Sequence, residues 1–399
     1  MMKDAKMTKA KKTALWRDFA SFNEDALMFN GLPVPLGGMT VQTFLKEYWH
    51  KKPLLIRNAL PEFKAFFTPD DAMNALQDEN IETRVIAQND GWQVTHGPLT
   101  KSKLPKRKQK AWTALVQGAD LIDAHGHALL QLFRFIPDAR LDDLMISFAT
   151  DGGGVGPHYD SYDVFLLQAH GQRHWSIGQE SDLSIVPDVP VKILQNFTAT
   201  EEFVLNPGDM LYLPPQYAHD GVAVGDCMTY SIGFRAPTYR ELGVALLNFV
   251  EDNVDIEGRY SDAGLKYQTT PAHLSDAMVN DVYQKLQTLK WDKSWVAECL
   301  GCYLTEPKAS VWFECEKPLT LAAFKKQALA NGVVLTAGTR MLYHAPWVFI
   351  NGEHLIADGA DAKFLASLAD ARTSDLAYMN DARWQLLHDW HGQGWLNVT

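Results

Sequence analysis

At 399 residues the chain has room for two or three domains, and its 46% apolar and 21% charged content is ordinary for a globular protein. A net charge of −11 argues against a general nucleic-acid binder, which would carry a basic stripe, and four cysteines do not make a disulfide framework. No stretch approaches ~18 uninterrupted apolar residues, so no membrane-spanning helix is expected.

The first thirteen residues carry Lys3, Lys6, Lys9, Lys11 and Lys12 with no apolar run behind them. They read as a disordered tail and not a secretory signal, and the expected compartment is the cytoplasm. Residues 40–49 place Phe44, Leu45, Tyr48 and Trp49 at helical spacing, Pro53 ends the helix, and Leu54-Leu55-Ile56 reads as a short strand. Residues 70–79 read as a second helix. Val85-Ile86-Ala87 and Trp92-Gln93-Val94 flank Asn89-Asp90-Gly91 as a hairpin. The basic run from Lys101 to Lys110 reads as a solvated loop.

From Leu144 the pattern turns to strands. Met145-Ile146-Ser147-Phe148 precedes a glycine-rich loop, and Asp163 to Gln168 and Gln172 to Ile177 read as two strands around His170-Gly171. Met210 to Leu213 follows the turn Pro207-Gly208-Asp209. Met228 to Phe234 alternates Thr229, Ser231 and Gly233 on one face with Met228, Tyr230, Ile232 and Phe234 on the other. Many short strands with Gly/Pro turns suggest a sandwich or barrel. Helices are expected over 239–253, 275–289 and Leu321 to Leu329, a strand at Val333-Val334-Leu335, and a hairpin at Trp347 to Gly352. Cys299 and Cys302 form a C-x-x-C in a helical apolar run with no evident fourth zinc ligand. With Cys315 they are expected to be reduced, buried thiols.

The chemistry concentrates in Gly152-Gly153-Gly154-Val155-Gly156-Pro157-His158-Tyr159-Asp160. Residues two apart on a strand point the same way, so His158 and Asp160 can face one cavity, and the glycines let backbone approach closely. His219 follows Pro214-Pro215 fifty-nine residues after Asp160. Two imidazoles and one carboxylate on one face of a metal leave the other face open, which suits non-haem Fe(II). His170, at a turn, and His174, of opposite parity to Arg173, are expected to stay clear of the metal. Arg173 alternates with Trp175 and is expected to face inward. It would either form an internal ion pair or hold the distal carboxylate of 2-oxoglutarate, because a buried arginine without an anion is costly.

Taken together, Leu141 to Phe148, Gly152 to Asp160, Tyr162-Asp163-Val164-Phe165, Arg173-His174-Trp175, Pro207 to Pro215, His219 and Gly233-Phe234-Arg235-Ala236-Pro237 resemble the bacterial ribosomal oxygenases. These are JmjC-type, cupin-like 2-oxoglutarate/Fe(II) enzymes, and Trp92 to Pro98 resembles them too. The resemblance implies an α+β chain with four parts. These are a flexible extension over 1–30, a double-stranded β-helix (jelly-roll/cupin-like JmjC) catalytic domain over 31–237, a helical dimerisation region over 238–302 and a winged-helix-like domain over 303–399. It implies hydroxylation of an arginine β-carbon in a large-subunit ribosomal protein, with Fe(II) on His158, Asp160 and His219, and with 2-oxoglutarate and O₂ as co-substrates. Arg173 then takes the distal carboxylate. Thr229, standing where the family has an asparagine, contacts the same co-substrate with a shorter donor. Asp143, Tyr162 and Ser231 would hold the substrate arginine, and a carboxylate is a natural partner for a guanidinium.

Winged-helix folds often bind DNA, but residues 301–399 hold eight Lys/Arg against ten Asp/Glu. No basic excess is present to neutralise phosphates, so direct DNA binding is not expected. The principal alternative is a small-molecule metal dioxygenase or isomerase on a cupin scaffold, independent of 2-oxoglutarate, with Arg173 in a structural ion pair.

Overall fold

The computed structural model describes residues 28–399 apart from 30, 89–90, 255–256, 264–266, 268, 290–291, 316 and 375. The expected N-terminal tail and the Asn89-Asp90 part of the first hairpin turn lie outside the described residues. Two compact units divide between Ala236 and Pro237.

The first unit is built on one antiparallel sheet. Ahead of it in the chain come β1 (Met28–Phe29) and β2 (Leu32–Pro33), which pair only with each other. The sheet strands are β3 (Leu54–Ile56), β4 (Thr83–Ala87), β5 (Gln93–His96), β6 (Trp112–Val116), β7 (Leu141–Ala149), β8 (Val164–Gly178), β9 (Glu201–Leu205), β10 (Met210–Leu213) and β11 (Ala218–Phe234). They run in the order β3-β10-β8-β11-β7-β6-β4-β5, with β9 on β8. The first hairpin forms with Ile86 opposite Val94. The expected helices form at Val41–Glu47, capped by Thr40, and at Pro69–Ala75, where Thr68 and Asp71 make a capping box. Residues 101–110 are a mostly exposed loop, in which Arg107 pairs with Asp70 and Lys110 with Asp151.

One expectation is corrected. The segment around His170-Gly171 is a single fifteen-residue strand, not two strands. Gly171 sits at φ +61°, and a Cβ there would come within 2.2 Å of the Asp226 carbonyl oxygen. Only glycine fits this bend, and β11 bulges opposite it between Val224 and Met228 before the ladder resumes. Strand β8 therefore takes β10 along its first half and β9 along its second while β11 follows throughout. Strand β11 is also longer than expected, since pairing begins at Ala218.

The outer face of the sheet is apolar. Met228, Tyr230, Ile232 and Phe234 join Ile146, Phe148, Phe165 and Tyr212 in the main core, beneath helix residues such as Phe44 and Leu76. Phe44 is fully buried, and its ring packs 4.9 Å from Tyr212 and 5.4 Å from Phe165. A smaller cluster of Leu166, Trp175, Ile177, Leu205 and Leu211 fills part of the opposite face. The rest of that face is polar, with Asp143, Ser147, Gln168, Arg173, His219, Thr229 and Ser231 all buried. The alternation read from residues 228–234 thus separates core from site.

In the second unit Thr238 and Glu241 cap the helix Tyr239–Asn253 with a capping box, and Ser275 caps Asp276–Leu286. Lys293–Thr305 carries Cys299 and Cys302. Leu321–Asn331, Gly359–Ala371 and Asp381–Gly392 close over a core of Phe324, Leu365, Leu368, Leu387, Trp390 and Trp395. A three-stranded antiparallel sheet, β13 (Met341–His344), β14 (Trp347–Ile350) and β15 (Glu353–Ile356), stands beside the pair β12 (Val333–Leu335) and β16 (Leu396–Val398). The second hairpin turns through Asn351 (φ +49°) and Gly352 (φ +88°), the conformations a two-residue hairpin needs.

Candidate metal centre

Strand β7 covers only the second half of β11, from Cys227 to Phe234. The glycine-rich loop covers the first half. Gly152 N–H donates to the Ala223 carbonyl and Ala223 N–H to the Gly153 carbonyl, each at 2.9 Å. Further along, His158 and His219 form an isolated antiparallel bridge. The approach needs glycines, because Cβ atoms at Gly153 and Gly154 would stand 2.4 and 2.6 Å from the carbonyl oxygens of Trp112 and Gly221.

His158, Asp160 and His219 each offer one ligand atom, and those atoms lie within 4.8 Å of one another. Among the described residues this is the one group of three or more His, Cys, Asp or Glu gathered in this way. The Asp160 carboxylate is 3.8 Å from His219 Nε2, and the two imidazole centroids are 4.2 Å apart. Each Nδ1 faces a backbone carbonyl, His158 with Gly156 at 2.8 Å and His219 with Tyr217 at 3.0 Å. A proton on Nδ1 satisfies those contacts and leaves both Nε2 lone pairs free for a metal. Burial, followed by the neighbouring His158, pushes the His219 pKa down to about 4, so this imidazole is neutral near pH 7.

The decoy histidines fall away from the site. His170 is exposed at the bend, and His174 lies 3.5 Å from Glu202. Arg173 faces inward with Trp175 as expected. It is 3% exposed, its guanidinium stands 5.7 Å over the Trp175 ring, and its Nε and Nη2 have no hydrogen-bond partner among the described residues. Burial pushes the Asp220 carboxyl up, against the pull of His158, Arg173 and His174. No ion pair joins Asp220 to Arg173. Two buried, unpartnered guanidinium nitrogens on the inner face fit the carboxylate of a small dicarboxylate, and an N₂O donor set with an open side fits Fe(II).

Thr229 is also inward and 1% exposed, but its hydroxyl donates to Gln168 Oε1 at 3.0 Å. Gln168 Nε2 in turn donates to the His170 carbonyl at 2.8 Å. The Thr229 hydroxyl is therefore spent as a donor and presents its lone pairs. Asp143 and Ser231 are buried on the same face. Tyr162 is 40% exposed, but desolvation of its hydroxyl, then the Asp160 and Asp143 carboxylates, hold the phenol above its usual range, so it stays a protonated donor.

Sequence reasoning missed Gln168 and Gln117. Gln168 had a readable signal, an amide inside the apolar run Val164 to Ala169, whereas Gln117, which bonds Asp143, had none. It also missed Asp163, fully buried, which accepts from Tyr212 at 2.6 Å and pairs with His50 and Arg140. Of the three thiols expected to be buried only Cys299 is, while Cys302 and Cys315 are half-buried; desolvation raises the thiol pKa of both Cys299 and Cys302, the latter to about 11.

A JmjC domain model matches residues 128–242, and a ROXA-like winged helix model matches residues 288–397. The chain is 31% identical over 316 residues to the ribosomal protein uL16 3-hydroxylase of Escherichia coli (strain K12), covering 78% of this chain and 84% of that protein. It is 40% identical over 209 residues to a probable ribosomal oxygenase of Haemophilus influenzae, covering 51% of this chain and 52% of that one. The X-ray structure of E. coli YcfD superposes with a TM-score of 0.78 at 28% identity, over 90% of this chain and 98% of that one. A structure of YcfD, a ribosomal oxygenase, in complex with cobalt and 2-oxoglutarate matches over the same shares at the same identity, with a TM-score of 0.74.

Proposed function

Because the chain belongs to the ribosomal oxygenase family, we propose that it is an Fe(II)- and 2-oxoglutarate-dependent dioxygenase that hydroxylates the β-carbon of an arginine in a large-subunit ribosomal protein, uL16 by its relative's activity. Its fold is the JmjC, cupin-like barrel followed by a winged helix. The observation that carries the reading is the buried Arg173 guanidinium with two unpartnered nitrogens, on the same inner face as His219.

His158, Asp160 and His219 would hold Fe(II), which supplies the activation of O₂ that protein side chains cannot. Arg173 receives the distal carboxylate of 2-oxoglutarate through its planar fork. Trp175 walls the same pocket and helps exclude water, and the Thr229 hydroxyl, which donates to Gln168 Oε1 in this structure, would have to turn from it to donate to the co-substrate. Asp143, Tyr162 and Ser231 hold the substrate guanidinium, Asp143 by charge, Tyr162 as a protonated phenol and Ser231 through its hydroxyl. The alternative of a small-molecule enzyme independent of 2-oxoglutarate requires Arg173 in an ion pair, and none forms among the described residues.

Residues 31–237 are assigned to catalysis, 238–302 to dimerisation and 303–399 to the winged-helix-like domain. The homodimer is supported by exposed Val244, Leu247, Val279, Val282 and Leu286, apolar side chains on two amphipathic helices. The compartment proposed is the cytoplasm, where a ribosomal protein is met, and none of the described helices is long and apolar enough to cross a membrane. The acidic balance of residues 301–399 supports a protein-contact role over DNA binding.

The test is anaerobic loading with Fe(II) and 2-oxoglutarate, then exposure to O₂ with purified uL16 and mass spectrometry. A gain of one oxygen atom on an arginine supports the reading. An absence of succinate with every large-subunit protein sinks the substrate assignment.

A further inference from the structure

The helix Lys293–Thr305 lies close against the three-stranded sheet of the second unit, and Gly301 permits the approach. A Cβ there would stand 2.3 Å from the Phe349 ring on β14. Phe349 pairs across the ladder with His354 on β15. One turn further on, the Thr305 hydroxyl accepts from the Gly352 N–H at 3.1 Å and ties the helix to the β14–β15 turn. Glu298 and Cys302 are four residues apart on this helix and so share a face. They meet opposite sides of one imidazole. Glu298 Oε1 stands 3.0 Å from His354 Nε2, and Cys302 Sγ stands 3.5 Å from His354 Nδ1. A carboxylate beside Nε2 favours the proton there, which leaves the Nδ1 lone pair to accept from the thiol. A nucleophile, a base within its reach and a third group that orients the base mark an activated nucleophile.

We propose that Cys302, His354 and Glu298 form a second reactive site, whose substrate is a small hydroperoxide. It stands apart from the oxygenase reading, since every residue involved lies in the second unit. The Cys302 sulfur attacks one peroxide oxygen as its proton passes to His354 Nδ1. The O–O bond breaks, and the departing oxygen takes that proton from His354 and leaves as water or an alcohol. The sulfur is oxidised by two electrons to a sulfenic acid, and the peroxide is reduced. A base that hands its proton on suits this electrophile, because hydroxide and alkoxide leave poorly until protonated. Desolvation, then the charges of Glu298 and Cys299, hold the Cys302 thiol up at about 11, so it is protonated at rest. It reacts only as His354 takes the proton, and a thiol of high pKa is then the stronger nucleophile. Cys302 is half-buried and the His354 side chain is 33% exposed, an opening that suits a small electrophile. Cys315 is the internal comparison. Its sulfur lies 3.8 Å from His391 Nε2, but His391 Nδ1 meets the neutral Leu396 carbonyl and not a carboxylate.

The test uses the full chain with Cys299→Ser, which removes the neighbouring thiol that could consume a sulfenic acid. It is exposed to hydrogen peroxide in a chelator with dimedone present, and labelling of Cys227, Cys302 and Cys315 is followed by peptide mass spectrometry. Cys302 is expected to label roughly tenfold faster than Cys315 or more. His354→Gln should slow that labelling roughly a hundredfold, the scale of losing a general base, and Glu298→Gln roughly tenfold. Labelling of Cys302 no faster than Cys315 overturns the site. A fast Cys302 that keeps its rate in both variants overturns the roles of His354 and Glu298, and the proposal with them. Should His354→Gln fail to fold by circular dichroism, the Glu298→Gln rate decides.

Discussion

The backbone N–H of His158 donates to the carbonyl of His219 at 2.9 Å, and the N–H of His219 returns the bond at 2.8 Å. The two imidazoles are therefore set side by side by main chain, not by each other's side chains. His158→Ala should keep this bridge and, compared in the metal-free state, a near-parental thermal midpoint, while metal binding and succinate formation fall below detection. Retained turnover in that variant refutes the ligand assignment.

Arg173 carries a cost that the co-substrate removes. Arg173→Ala should raise the 2-oxoglutarate KM by the equivalent of about 2–3 kcal/mol, roughly thirty- to 150-fold. Arg173→Met, filling similar volume without charge, should stabilise the co-substrate-free protein by about 1–3 kcal/mol in urea titrations. An unchanged 2-oxoglutarate requirement in both would rule out the anchor role.

Thr229→Val removes one hydroxyl at nearly constant volume. It leaves Gln168 Oε1 buried without its donor, which should cost about 1–3 kcal/mol in denaturant midpoint analysis. A variant as stable as the parent would mean that Gln168 had found another donor.

Gly221 touches the pocket wall. A Cβ there would stand 2.6 Å from the Trp175 ring, whose centroid is 5.8 Å from that of His219. Gly221→Ala should cost about 1–3 kcal/mol through overpacking and also weaken cobalt binding. Unaltered metal affinity would show that Trp175 moves without disturbing His219.

Chelation should lower the thermal midpoint. A metal bound only by the folded state adds about 2.7 kcal/mol at a hundredfold excess over its Kd. The parent chain should lose this increment in a chelator, whereas His158→Ala has none to lose. A chelator that shifts both equally acts elsewhere.

The sequence revealed what local pattern encodes. The offset of His158 and Asp160, the inward parity of Arg173 and Trp175, and the two faces of residues 228–234 all follow from the two-residue period of a strand. What it did not reveal depends on partners distant in the chain. The continuity of β8 is set by β11 bulging opposite Gly171, and His158 meets His219 only because residues 152–158 occupy the edge that β7 leaves vacant. Gln117 gains its meaning from Asp143, twenty-six residues on, which no periodicity marks.

The ladder between β8 and β11 has one more consequence. His219 stands opposite Ile177, and Arg173 lies four residues along the same strand from Ile177, opposite Ala223. At about 3.3 Å per residue the backbone sets these two positions roughly 13 Å apart, with side chains reaching inward from each end. The strand therefore works as a yardstick. The length of acid that can span from metal to arginine is ruled by the rise of a β-ladder, which point mutations cannot stretch. Discrimination between oxo-dicarboxylic acids of different chain length should accordingly survive changes in the lining, and yield only to an inserted or deleted residue in β8.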